Sequence, residues 1–216
     1  MGVERERFTR EEASKHRHSD RLAACLVGAL AYDRTPLYDF GCGDGYYLQQ
    51  IRLASRSLKP CIGVDASIDI PNPHWPYIIH PCDAAVPLHL GPPGDVICLE
   101  VAEHIRADRL NGLLANLESH CRGILVLSWA VRGQAGTRHV SCRDEHEVMA
   151  MVLPLGFRYL KDTTLIWREE AGQDLWWFKK SLYLFQHVHH TNHDHPILGK
   201  GRNSPPLAPG DSNRPE

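Results

Sequence analysis

Short apolar runs alternate with amphipathic stretches along most of the chain. Leu37-Tyr38-Asp39-Phe40, Cys61-Ile62-Gly63-Val64, Val96-Ile97-Cys98-Leu99 and Ile124-Leu125-Val126-Leu127 are compact and near-continuously apolar. That is the pattern of strands buried on both faces of a sheet. Strands are predicted at 36–40, 61–64, 77–80, 95–99, 123–129, 157–160 and 176–185. Between them the spacing turns helical. Leu22, Leu26 and Leu30 recur four residues apart, and the helix they mark, read from about Arg10, is closed by Thr35-Pro36. Further helices are predicted over 44–57, over 107–120 with Leu110, Leu113, Leu114 and Leu117 on one side, and over 143–155, where Gly156 ends the run. A short helix is predicted at 163–172. Strands that alternate with helices argue for βαβ units, a parallel sheet and right-handed crossovers.

The pattern places one α/β domain over residues 8–186. Residues 187–216 depart from it: they hold five Pro and, after Leu198, almost no large apolar side chain. A His/Pro-rich disordered tail is expected there. Its five histidines in nine positions (187–195) can catch a transition metal, but a specific site needs fixed geometry, so no functional metal is expected.

Composition narrows the function. With 43% apolar residues the chain can build a core. Its 24 basic and 26 acidic residues leave a net charge of −2, which provides no global field for nucleic acid or a membrane surface. No apolar run approaches the roughly 18 residues of a membrane span, and the charged start lacks the apolar run of a signal peptide. The seven cysteines are odd in number and form no CxxC pair, so they read as buried thiols of a reducing, cytoplasmic protein.

The chemistry centres on Leu37-Tyr38-Asp39-Phe40-Gly41-Cys42-Gly43-Asp44-Gly45, an apolar strand running into D-x-G-x-G-x-G and then a helix. Glycines allow the tight turn and close backbone approach, and the helix start faces the ligand. A second strand ends in Val64-Asp65-Ala66, whose acid can accept both hydroxyls of a ribose. The dinucleotide spacing G-x-G-x-x-G is absent, and the loop has no P-loop lysine, so kinase chemistry is not expected.

These residues together resemble class I S-adenosylmethionine-dependent methyltransferases. Asp39–Gly45 matches the family's first motif and Val64-Asp65 the acid after the second strand. Pro81-Cys82-Asp83-Ala84 matches the acid beside the adenine, and Asp95–Ile105 is similar to the fourth strand with its E-V-x-E-H-I turn. Leu127–Val140, with its S-W-A-x-x-G-Q-x-G-x-x-H-V segment, and Trp176-Trp177-Phe178-Lys179-Lys180 resemble a small-molecule-type subset, although Lys180 replaces the usual asparagine. The resemblance spans about 36–185. It implies a Rossmann-like, seven-stranded, mostly parallel sheet with the last strand antiparallel, helices on both faces, and S-adenosyl-L-methionine as cofactor. It implies that Asp39, Gly41, Gly43 and Gly45 approach the methionine part, Asp65 and Ala66 the ribose, and Asp83 and Ala84 the adenine. Leu99 and Glu100 would line the cofactor.

The acceptor half is less legible. His104 reads as a base or substrate contact, or as a residue that packs a helix start. His139 has the intrinsic pKa of a general base, or it pins the loop before it. Trp129, Trp176 and Trp177 wall a pocket or fill the core; Tyr46 and Tyr47 close over the cofactor or pack the surface. The helical N-terminus at 9–31 is the best candidate lid. Methyl transfer to an O or N nucleophile of a small molecule or saccharide is expected. A protein or RNA acceptor, hinted at by Arg132, Arg138 and Arg143, and a non-catalytic cofactor-binding module stand as alternatives. The oligomeric state is open.

Overall fold

The computed structural model describes residues 17–55, 59–67, 74–79 and 81–189. The start of the predicted N-terminal helix and most of the predicted tail fall outside these residues. The chain runs α1 (Asp20–Leu30), β1 (Leu37–Phe40), α2 (Tyr46–Ala54), β2 (Cys61–Val64), β3 (Ile78–Ile79) and β4 (Gly94–Cys98). It continues through short 3-10 turns into α3 (Leu110–His120), β5 (Cys121–Ser128), α4 (Glu145–Val152), β6 (Phe157–Tyr159), α5 (Lys161–Asp174), α6 (Phe178–Ser181) and β7 (Leu182–His187).

The seven strands form one sheet in the order β3-β2-β1-β4-β5-β7-β6. β1 pairs in parallel with β2 and β4, and β4 with β5, whereas β7 runs antiparallel to both β5 and β6. This is the expected mostly parallel sheet with its last strand reversed. The path steps outward from β1 to β3 and then crosses to β4 on the other side of β1. The switch therefore lies between β1 and β4, where ligands bind at the carboxyl ends of the strands in open α/β sheets.

The twofold alternation of strand side chains divides the core in two. Leu37, Ile97, Ile124, Val126, Leu182 and Leu184 face α1, α2 and α5. Tyr38, Phe40, Val96, Cys98, Leu125 and Leu127 face α3 and α4. Leu22, Leu26 and Leu30 are fully buried, as their spacing requires, and the Ser19 Oγ caps α1 by accepting the Leu22 N–H at 2.9 Å. Asp144 and Glu147 start α4 with a capping box.

Two predicted elements change. The segment from Trp176 does not enter the last strand at once: Phe178, Lys179 and Ser181 N–H groups bond back to Leu175, Trp176 and Trp177 carbonyls, forming a turn and α6 before β7 begins at Leu182. Trp176 is 63% exposed. The short helix predicted at 163–172 extends over Lys161–Asp174 and covers the sheet through Trp167 and Ala171. All seven cysteines are free thiols. No described helix is long and apolar enough to cross a membrane.

Candidate functional site

The glycine turn caps the carboxyl end of β1. Gly41, Gly43 and Gly45 all adopt left-handed backbone, with φ of 77°, 56° and 79°. A side chain there would be strained. At Gly41 it would also collide, since an added Cβ would lie 2.1 Å from Val101 Cγ2. The turn after β4 is thus packed directly on the glycine turn. α2 follows at once, and its Tyr46 N–H donates to Asp44 Oδ1 at 3.1 Å.

Asp65, at the end of β2, is buried and braces this turn. Its Oδ2 accepts the Gly43 N–H and its Oδ1 the Ser67 N–H, both at 2.8 Å. Each oxygen keeps a further lone pair for a ligand hydroxyl. Asp39 is buried behind the turn; burial, then the nearby Asp65 and Asp44 charges, push its carboxyl well above the usual range. Asp83 sits beyond β3, where its Oδ2 accepts Arg109 Nη2 at 2.6 Å and its Oδ1 the Ala85 N–H at 2.9 Å. The Asn116 side chain donates to the Ala84 and Val86 carbonyls, fixing the segment that carries Asp83 and Ala84.

Leu99 is buried and Glu100 follows it with φ of 55°, unusual for a residue with a Cβ. Ser128, at the end of β5, holds it twice: its Oγ accepts the Glu100 N–H and donates to Glu100 Oε1, each at 2.7 Å. Burial pushes the Glu100 carboxyl up to about 7, against the opposing Ser128 hydrogen bond. Asp39, Asp65 and the Leu99–Glu100 turn therefore meet around the glycines, at the ends of the adjacent strands β2, β1 and β4.

The second cluster lies one turn further on. Glu103 is fully buried, and burial followed by the charge of Glu100 raises its carboxyl well above the usual range. Its backbone carbonyl accepts the N–H groups of both Val140 and Ser141, at 2.8 and 3.0 Å. This draws the loop after β5 over the turn and brings the rings of His104 and His139 to 5.1 Å. Trp129 is fully buried and donates Nε1–H to the Ser141 carbonyl at 2.7 Å, so it anchors the loop from the core and does not wall a pocket. Arg109 was not singled out by the sequence, and Ser128 and Glu103 entered only within longer motifs; the partners of all three lie 25 or more residues away, and the tertiary fold brings them together.

The segment before α1 also reaches this edge. His18 stacks on Tyr46 at 4.3 Å and bonds Asp44 Oδ1 at 3.1 Å, and the Ser19 N–H donates to the Tyr47 hydroxyl at 3.1 Å. Tyr46 and Tyr47 thus tie α1 to the glycine turn. Arg132, one of the basic residues near the loop, is engaged by Glu147 at 2.6 and 2.9 Å, which neutralises it locally.

No protein-family model matches the chain, and no curated protein matches it in sequence. Solved structures do match its shape. Magnesium protoporphyrin IX methyltransferase from Synechocystis PCC 6803 is 21% identical over 78% of this chain and 81% of its own, with a TM-score of 0.54. The [4+2]-cyclase SpnF is 14% identical over 78% and 80%, with a TM-score of 0.53. A SAM-dependent methyltransferase from Archaeoglobus fulgidus is 16% identical over 77% and 92%, also at 0.53. The likeness at these identities is one of architecture: the chain has the Rossmann-like fold seen in class I methyltransferases.

Proposed function

We propose that this protein is an S-adenosylmethionine-dependent methyltransferase that acts on an oxygen or nitrogen nucleophile of a small molecule or saccharide. The observation that carries this reading is the glycine turn braced by Asp65 at the topological switch point. Three left-handed glycines shape the turn, with Val101 and Trp75 packed on Gly41 and Gly45, and carboxylates of β1 and the end of β2 lie beside it. These residues fit an adenosyl sulfonium: glycine backbone for the methionine, Asp65 for the ribose, Asp83 for the adenine edge, and Leu99 and Glu100 along its side. Crystals of the Synechocystis relative hold the demethylated and the intact cofactor, which supports the same occupant here.

When bound, the cofactor supplies an electrophilic methyl group; the protein's task is to align the acceptor and exclude water. His104 and His139 lie side by side next to the 99–104 turn, and this reading assigns them to the acceptor side.

Calorimetric titration with S-adenosylmethionine and its demethylated product tests the first half of the reading. Radiolabelled cofactor with cell extract, fractionated by size, tests the second, with label expected in small metabolites. Gly43→Val and Asp65→Ala are each expected to abolish both signals. Full activity in both variants, or binding with no label transferred to any fraction, overturns the assignment; the SpnF fold shows why the second control matters.

A further inference from the structure

We propose that Glu103, His104 and His139 bind one divalent transition-metal cation. A carboxylate oxygen and one nitrogen from each imidazole lie within 4.8 Å of one another, close enough for one ion to meet all three after small rotations. Two imidazoles and a carboxylate suit zinc, cobalt, manganese or iron, and disfavour calcium and magnesium, which prefer all-oxygen sets.

Glu103 points to the ligand. Its side chain is fully buried, neither carboxylate oxygen makes a hydrogen bond of ordinary geometry, and the Glu100 carboxyl lies beside it. A buried carboxylate in that state is costly unless a cation or proton meets it. The two rings are arranged to supply the remaining donors. His104 Nδ1 faces the Arg138 carbonyl at 3.3 Å, and His139 Nδ1 faces the Gln134 carbonyl at 3.2 Å. A proton on each Nδ1 satisfies those carbonyls and leaves Nε2 as the lone-pair nitrogen, the way ligating histidines are held by their surroundings. Gly136 completes the support: an added Cβ there would lie 2.1 Å from His139 Nε2, so the loop needs a glycine where the ring rests.

Three protein ligands leave open positions on the ion. The use of those positions rests on the methyl-transfer reading. The acceptor's hydroxyl oxygen coordinates the ion, which lowers its pKa, and its proton leaves to solvent. An oxygen lone pair then forms the O–CH3 bond as the C–S bond breaks, and that electron pair stays on sulfur. His104 and His139 thereby serve as ligands, not as bases, and acceptors with an ionisable oxygen are selected. The Gly41–Val101 contact puts this cluster one turn from the cofactor loop.

The test is a Co2+ titration of the full chain, stripped of metal with a chelator and read by visible d–d absorption. The tail histidines can also catch the added metal, so a full-length variant with His189, His190, His193 and His195 changed to Asn is titrated beside it. One tight ion per chain is expected in the wild type and the tail variant. Glu103→Gln and His139→Ala are expected to weaken it at least tenfold, and Gly136→Ala to do so through the displaced ring. Metal-free Glu103→Gln is expected to melt no lower than metal-free wild type, because it keeps the side chain's shape and removes the repulsion with the Glu100 carboxyl; a merely structural Glu103 predicts lower melting. Loss of the ion with the tail substitutions, or its full retention in both Glu103→Gln and His139→Ala, overturns the proposal. Titration with S-adenosylhomocysteine separates the readings. Absent binding there with intact Co2+ binding sinks the methyltransferase reading alone; the converse sinks the metal site alone.

Discussion

Gly41 shows how much one residue type decides. Its φ of 77° and the nearby Val101 Cγ2 mean that Gly41→Ala adds strain of about 1–3 kcal/mol and pushes the 99–104 turn away. A lower melting temperature and weaker binding of S-adenosylhomocysteine are expected, read by thermal denaturation and calorimetry. Asp44, in the same turn, carries a pH signature. Burial raises its carboxyl, but the hydrogen bond and charge of His18, the Tyr46 N–H and His74 outweigh that and leave it lowered. A folded-state value below the unfolded one adds stability above about pH 4, which is lost as the pH falls through the folded value. Asp44→Asn is therefore expected to flatten the decline of melting temperature below about pH 4. The glycines and Asp65 were legible because their role depends on neighbours in sequence. Ser128, which holds Glu100, and Arg109, which holds Asp83, were not: each acts across 26 or more residues, and a serine or arginine at such a position has no local signature.

At the scale of elements, α1 and the loop after β5 show opposite degrees of legibility. The four-residue spacing of Leu22, Leu26 and Leu30 marks a helix face, and all three are fully buried. Leu26→Ala is expected to cost about 2–5 kcal/mol in denaturant unfolding. The loop has no periodicity. Its path is set by the Trp129 indole on the Ser141 carbonyl and by the Glu103 carbonyl holding Val140 and Ser141. Trp129→Phe leaves a carbonyl without its donor, a loss of about 1–3 kcal/mol. Faster amide exchange at Val140 and Ser141 is the expected readout. The last strand was placed too early because Trp176-Trp177-Phe178 is as apolar as a strand; the backbone bonds that coil it into α6 depend on tertiary packing against α5. The sheet, with its reversed last strand, was legible in alternation and in motif order together.

Across the whole molecule, one buried charge cluster fastens the sheet at the end opposite the site. Lys59 is fully buried, with Nζ 2.6 Å from Asp33 and 3.1 Å from Asp95, while Asp95 also accepts the Ile124 N–H at 2.8 Å. Lys59→Met strands Asp95 without its cation and is expected to cost about 3–5 kcal/mol in equilibrium unfolding, more than Lys59→Met combined with Asp95→Asn. The fold and the glycine turn follow from local segments whose periodicity and spacing can be read one at a time. The acceptor half is written in loop contacts that single residues make across the sheet, so its identity does not follow from the pattern. The carbonyl of Glu103 has one more implication. It holds the loop after β5, while its neighbour Val101 packs on the glycine turn, so one short stretch of backbone touches both segments. Should the two segments hold the cofactor and the acceptor as proposed, any coupling carried by this backbone is reciprocal, each ligand changing the affinity of the other by the same factor.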